Sequence, residues 1–301
     1  MRNSSAAFQS CLTDTRKEKT MTRRVRTAAV ILTVLLVFLN MGVYFADGSE
    51  DVIVPVLMYH NVEPGPDGGD AENISPELFR EHMQALLSRG YTPIFVSDYY
   101  NCVVRGAELP EKPIAVTFDD GYLSNYEAAF PILKELKIPA TIFVVTSTVG
   151  LTPESGRVSR PHFTWEQAKE MQESGFVDIY SHSHTHRNMS QLTVAELQTE
   201  LRLSKYLVEK NLGKNCFIFA YPYGGYSEST FRMAKYAGYR MQILVNDWQG
   251  GEYCLANRTS DGLDKFIRLT VSGKMSVEDL YEMLDKAEEN TVRNSAVRIL
   301  Q

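Results

Sequence analysis

The sequence predicts an α/β fold with parallel strands, and three observations support this prediction. Short apolar runs rich in β-branched residues alternate with amphipathic helical segments over roughly 240 residues. Several of these runs end abruptly in polar residues, such as the pair Asp119 and Asp120. Hydrophobic residues make up 44% and charged residues 23%, which is ordinary globular composition. Together they favour a parallel sheet or an α/β barrel that gathers polar side chains at the carboxyl ends of its strands.

The predicted elements follow one another with clear boundaries. The first strand covers 52–59 and places His60 at its carboxyl end. Ser75 is placed to cap the first helix, which Pro76 begins and Gly90 ends. Further strands are predicted at 91–96, 114–118, 140–145, 176–180, 216–221, 241–245 and 266–270, and further helices at 97–104, 124–137, 164–174, 193–212, 228–237 and 277–287.

Charge and cysteine content exclude several classes of function. The formal net charge is -6 and the isoelectric point is near 5.6, so there is no basic surface of the kind that neutralises nucleic-acid phosphates. The four cysteines form no C-x-x-C pair, which argues against a zinc knuckle or a redox motif. One disulfide among Cys102, Cys216 and Cys254 is compatible with the sequence, which does not select a pair.

An apolar segment at 28–45 dominates the amino-terminal region. Three arginines between residues 23 and 26 precede it and acidic residues follow it, so the chain after it should be exported. Its length, about 18 residues, suits an uncleaved signal-anchor best, with a cleaved signal peptide and a buried core helix as alternatives. Translation could start at Met1 or Met21. The predicted division is a cytoplasmic tail at 1–27, the membrane segment, a linker at 46–51, a globular domain at 52–290 and a tail at 291–301.

Two adjacent carboxylates follow the predicted strand 114–118. Asp119 and Asp120 should leave an extended backbone in roughly opposite directions, so that one can bind a metal while the other faces water. Gly121 then allows a backbone turn that other residues resist. The alternative is an ordinary Asp-Asp-Gly turn between a strand and a helix.

A histidine cluster follows the predicted strand 176–180. Three of the six histidines of the chain, His182, His184 and His186, fall within five residues. His182 and His186 are four residues apart and could meet at one metal ion if the segment forms a helical turn. With one carboxylate they would form a two-histidine, one-carboxylate set that leaves positions for water. The alternative is a solvated histidine-rich loop that binds metal adventitiously.

Two aromatic segments follow other strands. Tyr221, Pro222, Tyr223 and a glycine pair could offer backbone N–H groups to an oxyanion and aromatic faces to a sugar ring, or could simply form a turn. Trp248 follows the predicted strand 241–245 and could bind substrate or pack in the core.

These motifs resemble those of the polysaccharide deacetylases with the NodB homology domain, carbohydrate esterase family 4. Residues 117–121 resemble the first motif of that family, 182–186 its second motif and 221–224 its third, and the resemblance covers about 52–285. The segment 57–60 resembles the branch of poly-N-acetylglucosamine deacetylases, in which an early histidine is the general acid. The implied fold is a distorted (β/α) barrel of the NodB-homology type.

The resemblance also assigns roles to individual residues. It implies a divalent metal, Zn²⁺ before Co²⁺, Ni²⁺ or Fe²⁺, with Asp119 as general base and His60 as general acid. The remaining assignments are Asp120, His182 and His186 to the metal and Tyr223, Pro222, Tyr221 and Trp248 to the oxyanion and substrate. Two features depart from the wider family: Ala220 stands where many members carry the arginine that orients the base, and the late L-x-H motif is absent around 266–269.

The expected function is hydrolysis of N-acetyl groups on an extracellular polysaccharide that contains N-acetylglucosamine. Peptidoglycan, poly-N-acetylglucosamine and chito-oligomers all remain as substrates. An esterase or small-amide hydrolase of the same fold and a non-catalytic, membrane-tethered glycan-binding module are the alternatives. The expected partners are the glycan and the membrane, through 28–45, with no nucleic acid and no protein partner.

Overall fold

The structure is a computed structural model that describes residues 51–64, 71–153, 159–245 and 254–299. Within these ranges, every helix is too short or too polar to cross a bilayer. The predicted membrane segment 28–45 and Trp248 lie outside the described residues.

A curled parallel sheet forms the centre of the fold, as the alternating pattern predicts. Its eight strands are β2 (Val56–Tyr59), β5 (Thr92–Ile94), β6 (Pro113–Phe118), β7 (Ala140–Val144), β8 (Val177–Ser181), β9 (Ile218–Ala220), β10 (Met241–Ile243) and β12 (Leu269–Thr270). They lie in the order β10-β9-β8-β7-β6-β2-β12, while β5 pairs with the first half of β6. Two small sheets join β1 (Ile53–Val54) to β11 (Asn257–Arg258) and β3 (Asn61–Val62) to β4 (Asn73–Ile74).

One segment, residues 266–271, contacts both ends of the sheet. Phe266 forms a parallel bridge with Ile243 of β10, while β12 pairs with β2 through Leu269 and Leu57. The strand predicted at 266–270 is therefore interrupted, and only its last two residues have strand geometry. This crossing places Arg268 between the two ends of the sheet.

Within the described ranges, seven helices accompany the sheet. They are α1 (Pro76–Ser88), α2 (Val96–Arg105), α3 (Phe130–Leu136), α4 (Trp165–Glu173), α5 (Val194–Leu212), α6 (Glu228–Ala237) and α7 (Val277–Ile299). Ser75 caps α1 and Thr193 caps α5, as predicted. The predicted helix 124–137 begins instead as a π-helical turn, Asn125–Ala129. The last helix continues to Ile299, beyond the predicted end at 287, and the buried side chain of Thr291 accepts a hydrogen bond from the Ala256 N–H at 2.8 Å.

Five strands of the sheet, β2, β6, β7, β9 and β10, are buried along their length because helices or loops cover both faces. All residues of β6 and of β7 are buried, and the aromatic rings of Tyr59, Phe79 and Phe118 pack together beside β6. Cys102, Cys216 and Cys254 are free thiols, so none of the disulfides that the sequence allows among them is formed. Along β6, the buried apolar residues end at Phe118, and the next residue is Asp119.

Candidate active site

The two aspartates leave β6 in a strained turn. Asp120 has a backbone φ of 68° and Gly121 one of 84°, the left-handed region that most side chains avoid. A Cβ atom on Gly121 would lie 3.1 Å from the side chain of Val144 and 3.2 Å from that of Phe163. The turn therefore needs glycine at this position, and both carboxylates are buried.

Asp119 is paired with an arginine that the sequence analysis did not assign. The Nη1 and Nη2 atoms of Arg268 donate to Oδ1 and Oδ2 of Asp119 at 2.5 and 2.7 Å, and Arg268 is completely buried. Burial by itself raises the pKa of Asp119, but the charge and hydrogen bonds of Arg268, together with the nearby His182 and His60, outweigh it and hold that pKa well below its usual range. The sequence signal for this role of Arg268 is that it is a single charged residue within the apolar segment 266–270.

His182 is oriented by the backbone of the neighbouring strand β9. Its Nδ1 lies 2.9 Å from the carbonyl oxygen of Ala220, so this nitrogen donates and Nε2 carries the lone pair. Nε2 lies 3.5 Å from Oδ2 of Asp119 and 3.8 Å from Oδ1 of Asp120. Burial lowers the pKa of His182 to about 4, despite the nearby carboxylates. The ring is therefore neutral and able to act as a metal ligand near neutral pH.

His186 completes a cluster of three candidate metal ligands. Its Nε2 lies 3.2 Å from Oδ1 of Asp120, and one ligand atom from each of Asp120, His182 and His186 lies within 4.8 Å of the others. Burial raises the pKa of Asp120, but the nearby histidines lower it by more, so that the net pKa is below the usual value. Oδ1 of Asp120 is buried and accepts no hydrogen bond from the described residues. An ionised carboxylate oxygen without a donor, facing two imidazoles, fits a divalent cation such as Zn²⁺.

The two histidines do not meet through a helical turn. Ser183 and His186 have φ values of 70° and 58°, and the loop between them has no helical residue. Hydrogen bonds stabilise this shape, among them one from the His186 N–H to Oγ of Ser183 at 3.0 Å. Nδ1 of His184 lies 2.9 Å from Oγ1 of Thr146, so His184 is not part of the ligand cluster.

His60 reaches the same site from the end of β2. It lines a cavity of about 890 Å³ together with Asp119, Asp120, His182 and His186. The backbone carbonyl of His60 accepts a hydrogen bond from the Asn125 side chain at 2.7 Å, whereas the buried Nδ1 of His60 has no hydrogen-bond partner in the part of the chain that the structure describes. The strand end predicted from the sequence therefore lies beside the two aspartates.

Two other histidines have different surroundings. His82 is buried in α1, where it contacts the Tyr59 hydroxyl at 3.1 Å and the Met275 carbonyl at 2.9 Å. His162 lines the cavity and packs against the ring of Tyr122 at a centroid distance of 5.0 Å. The sequence does not indicate that His162 belongs to the site, because a short Pro-flanked loop carries no signal of its position.

The aromatic loop after β9 contributes one side chain to the cavity. Tyr223 lies in a 3-10 turn with φ 57°, is 69% exposed and packs its ring 4.7 Å from that of His186. Tyr221 and Pro222, which were expected to contact substrate, are buried outside the cavity lining. The Tyr221 hydroxyl instead donates to Gln242 in the core. β9 ends at Ala220, and of the three residues that follow only Tyr223, with its left-handed backbone, lines the cavity.

Comparisons with known proteins indicate one family. The sequence profile of the family described as "Polysaccharide deacetylase" matches residues 106–242. Over 192 residues the chain is 32% identical to YxkH of Bacillus subtilis (strain 168), which is named for the same family; the match covers 64% of each chain. It is 27% identical over 271 residues to the poly-beta-1,6-N-acetyl-D-glucosamine N-deacetylase of Escherichia coli (strain K12), covering 78% of this chain and 39% of that enzyme.

A solved structure supports the fold. The Streptococcus pyogenes deacetylase PplD, in complex with acetate, superposes with a TM-score of 0.66 and 27% identity over 77% of this chain and 98% of that chain. Among the sequence relatives, by contrast, the chain spans less than two thirds of the length of either protein.

Proposed function

Because the chain belongs to the polysaccharide deacetylase family, we propose that it removes N-acetyl groups from a polysaccharide that contains N-acetylglucosamine. The observation that supports the proposal is that two adjacent carboxylates at one strand end have different surroundings. Asp119 is held by Arg268, while the neighbouring Asp120 faces His182 and His186. One carboxylate is thus suited to move a proton and the other to bind a cation.

Asp120, His182 and His186 would hold a divalent metal, with Zn²⁺ favoured by the nitrogen and oxygen donors. When bound, such an ion supplies Lewis acidity toward an amide carbonyl and lowers the pKa of a water molecule. The protein itself sets the orientation and the protonation state of these ligand residues. The carbonyl of Ala220 fixes the His182 tautomer, and the low pKa values of Asp120 and His182 keep both in their ligating forms.

Asp119 would act as the general base. Arg268 keeps its carboxylate ionised far below neutral pH, and its Oδ2 lies 3.5 Å from the ligating nitrogen of His182. A water molecule beside the metal ligands would therefore be within reach of a carboxylate that can accept its proton. Because Nη1 and Nη2 of Arg268 each donate a hydrogen bond to one oxygen of Asp119, the carboxylate cannot rotate away from this position.

His60 would donate the proton that the departing amine needs. It lies in the same cavity as Asp119, and no described residue forms a hydrogen bond with its Nδ1 that would fix its tautomer. The backbone N–H of Tyr223 would stabilise the oxyanion, and the exposed ring of Tyr223 would contact the sugar. The packing of this ring against His186 supports both assignments, since it brings the loop next to the ligand cluster.

We propose a polymeric substrate outside the cell membrane. A cavity of about 890 Å³ that contains the ligand cluster can accept sugar units. The apolar segment 28–45 after three arginines supports export, with the catalytic domain anchored on the extracellular side. The name of the Escherichia coli relative makes poly-N-acetylglucosamine the first substrate to test.

The test is acetate release by metal-restored protein from poly-N-acetylglucosamine oligomers, peptidoglycan and chito-oligomers. We expect activity that a chelator abolishes and Zn²⁺ restores, with one of the three glycans preferred. Asp119→Asn is the control, because it should retain metal while losing rate by on the order of 10²-fold. Release from O-acetylated substrates alone would identify an esterase, ammonia release from small amides would identify an amidase, and glycan binding without turnover would identify a binding module.

A further inference from the structure

Glu200 of α5 is a buried carboxylate directed at the loop between the two candidate histidine ligands. Only 4% of the residue is exposed. Its Oε2 accepts hydrogen bonds from the backbone N–H groups of His184 and Thr185, both at 2.8 Å, and its Oε1 accepts one from the Thr185 hydroxyl. Within the described residues, the hydrogen bonds of Glu200 all go to the three-residue connection between His182 and His186.

The charge of Glu200 is balanced by these donors rather than by a cation. In the described part of the chain, Glu200 has no ion pair with a lysine, arginine or histidine. A buried carboxylate is costly unless its oxygens accept hydrogen bonds, and two successive backbone N–H groups directed at one anion form a favourable site for it. The backbone N–H groups of the loop thus bind the carboxylate of Glu200 in the way that such groups bind an anion.

The loop requires such support because its backbone is unusual. Ser183 and His186 both adopt left-handed φ values, which are unfavourable for residues with a Cβ. His182 is fixed independently, by the end of β8 and by its hydrogen bond to Ala220. His186 lies at the other end of the turn, so its position relative to His182 depends on how the intervening residues are held.

We propose that Glu200 is a positioning residue that sets the metal affinity of the site by fixing the distance between His182 and His186. This inference rests on the proposed function, because it requires that the cluster of Asp120, His182 and His186 binds a divalent ion. Groups that orient ligands typically change metal affinity by about 10- to 100-fold when removed. Glu200 would act on the geometry of the ligands without touching the metal or the substrate.

The test is the Zn²⁺ dissociation constant of the purified protein, measured by competition with a chromophoric chelator. Glu200→Ala should weaken Zn²⁺ binding by about 10- to 100-fold. Glu200→Gln should lose less than Glu200→Ala, because its amide oxygen can still accept from the two backbone N–H groups. Thr185→Val, which removes only the hydroxyl hydrogen bond, should have the smallest effect.

Glu209 provides a matched control on the same helix. Its Oε1 accepts from Nζ of Lys205 at 2.6 Å and from the backbone N–H of Cys216 at 3.0 Å, so it also stabilises a loop. It lies nine residues after Glu200, about 14 Å along the helix axis. Glu209→Ala should therefore lower thermal stability while leaving Zn²⁺ affinity unchanged.

The outcomes separate this inference from the proposed function. If Glu200→Ala and Glu200→Gln bind Zn²⁺ as the wild type does, or if Glu200→Ala and Glu209→Ala weaken binding equally, Glu200 has no specific role at the ligands. A wild-type protein that binds no divalent ion would overturn the proposed metal site together with this inference. If Glu200→Ala does not fold, the comparison of Glu200→Gln with wild type decides the question.

Discussion

Replacing Arg268 with methionine would test the proposed base most directly. Methionine replaces the aliphatic part of the arginine side chain and carries no charge, so it would leave the buried carboxylate of Asp119 without its cation. Removing one partner of a buried ion pair costs about 3–5 kcal/mol. Because 1.36 kcal/mol corresponds to a factor of ten, the proton affinity of Asp119 could rise by roughly 10²- to 10⁴-fold before protonation relieves the penalty.

The sign of the pH dependence follows from this shift. In the wild type the pKa of Asp119 lies below its ordinary value of 3.8, so the ion pair stabilises the fold above that pH and the contribution is lost as the pH falls through the folded value. In Arg268→Met the effect of burial is no longer outweighed, and the carboxyl group binds its proton at higher pH. We expect kcat/KM to fall steeply at acidic and neutral pH and to recover partly as the pH rises.

The assay is kcat/KM for acetate release between pH 5 and pH 9, with Zn²⁺ content measured on the same samples. Arg80→Met is the matched control, because Arg80 makes a bidentate pair with Glu135 at 2.8 and 2.9 Å on the exposed surface. Such exposed pairs contribute little, and this variant should keep the wild-type profile. An Arg268→Met profile that matches the wild type in shape and height would refute the role of Arg268. A loss equal at every pH would assign it to structure alone.

Three further predictions concern the metal, the acid and the membrane. His182→Ala and His186→Ala should each lose bound Zn²⁺ and activity, as measured by metal analysis, and stoichiometric metal in either would exclude that ligand. His60→Ala should retain Zn²⁺ but lose most amide hydrolysis, with a smaller effect on an activated aryl acetate whose leaving group needs no proton; equal losses would leave the acid unidentified. The proposal that 28–45 is a membrane anchor predicts that the chain remains in the membrane fraction with its domain accessible to added protease, whereas a soluble form beginning near Asp47 would indicate cleavage.

The order and type of the elements could be predicted because they depend on local patterns. The strand 114–118 is a short apolar run before two carboxylates, and it lies in the centre of the sheet as β6. Caps such as Ser75 were predictable for the same reason, since a side chain and the backbone N–H it accepts from are three residues apart. The interrupted strand at 266–270 was not predictable, because its pairing is divided between two distant strands.

The sequence by itself determined which chemical groups stand at the strand ends: the aspartates after β6, the histidines after β8 and His60 after β2. Only the tertiary structure decided which groups face one another. Arg268 and Asp119 are 149 residues apart, and they meet because the sheet curls until one segment contacts both of its ends. Glu200 lies in a helix whose sequence is compatible with solvent, and its burial follows from the packing of α5 against the loop. The hydrophobic periodicity of the sequence indicates which face of a single helix or strand is buried. Contacts between distant residues depend on how these elements pack together in the tertiary structure.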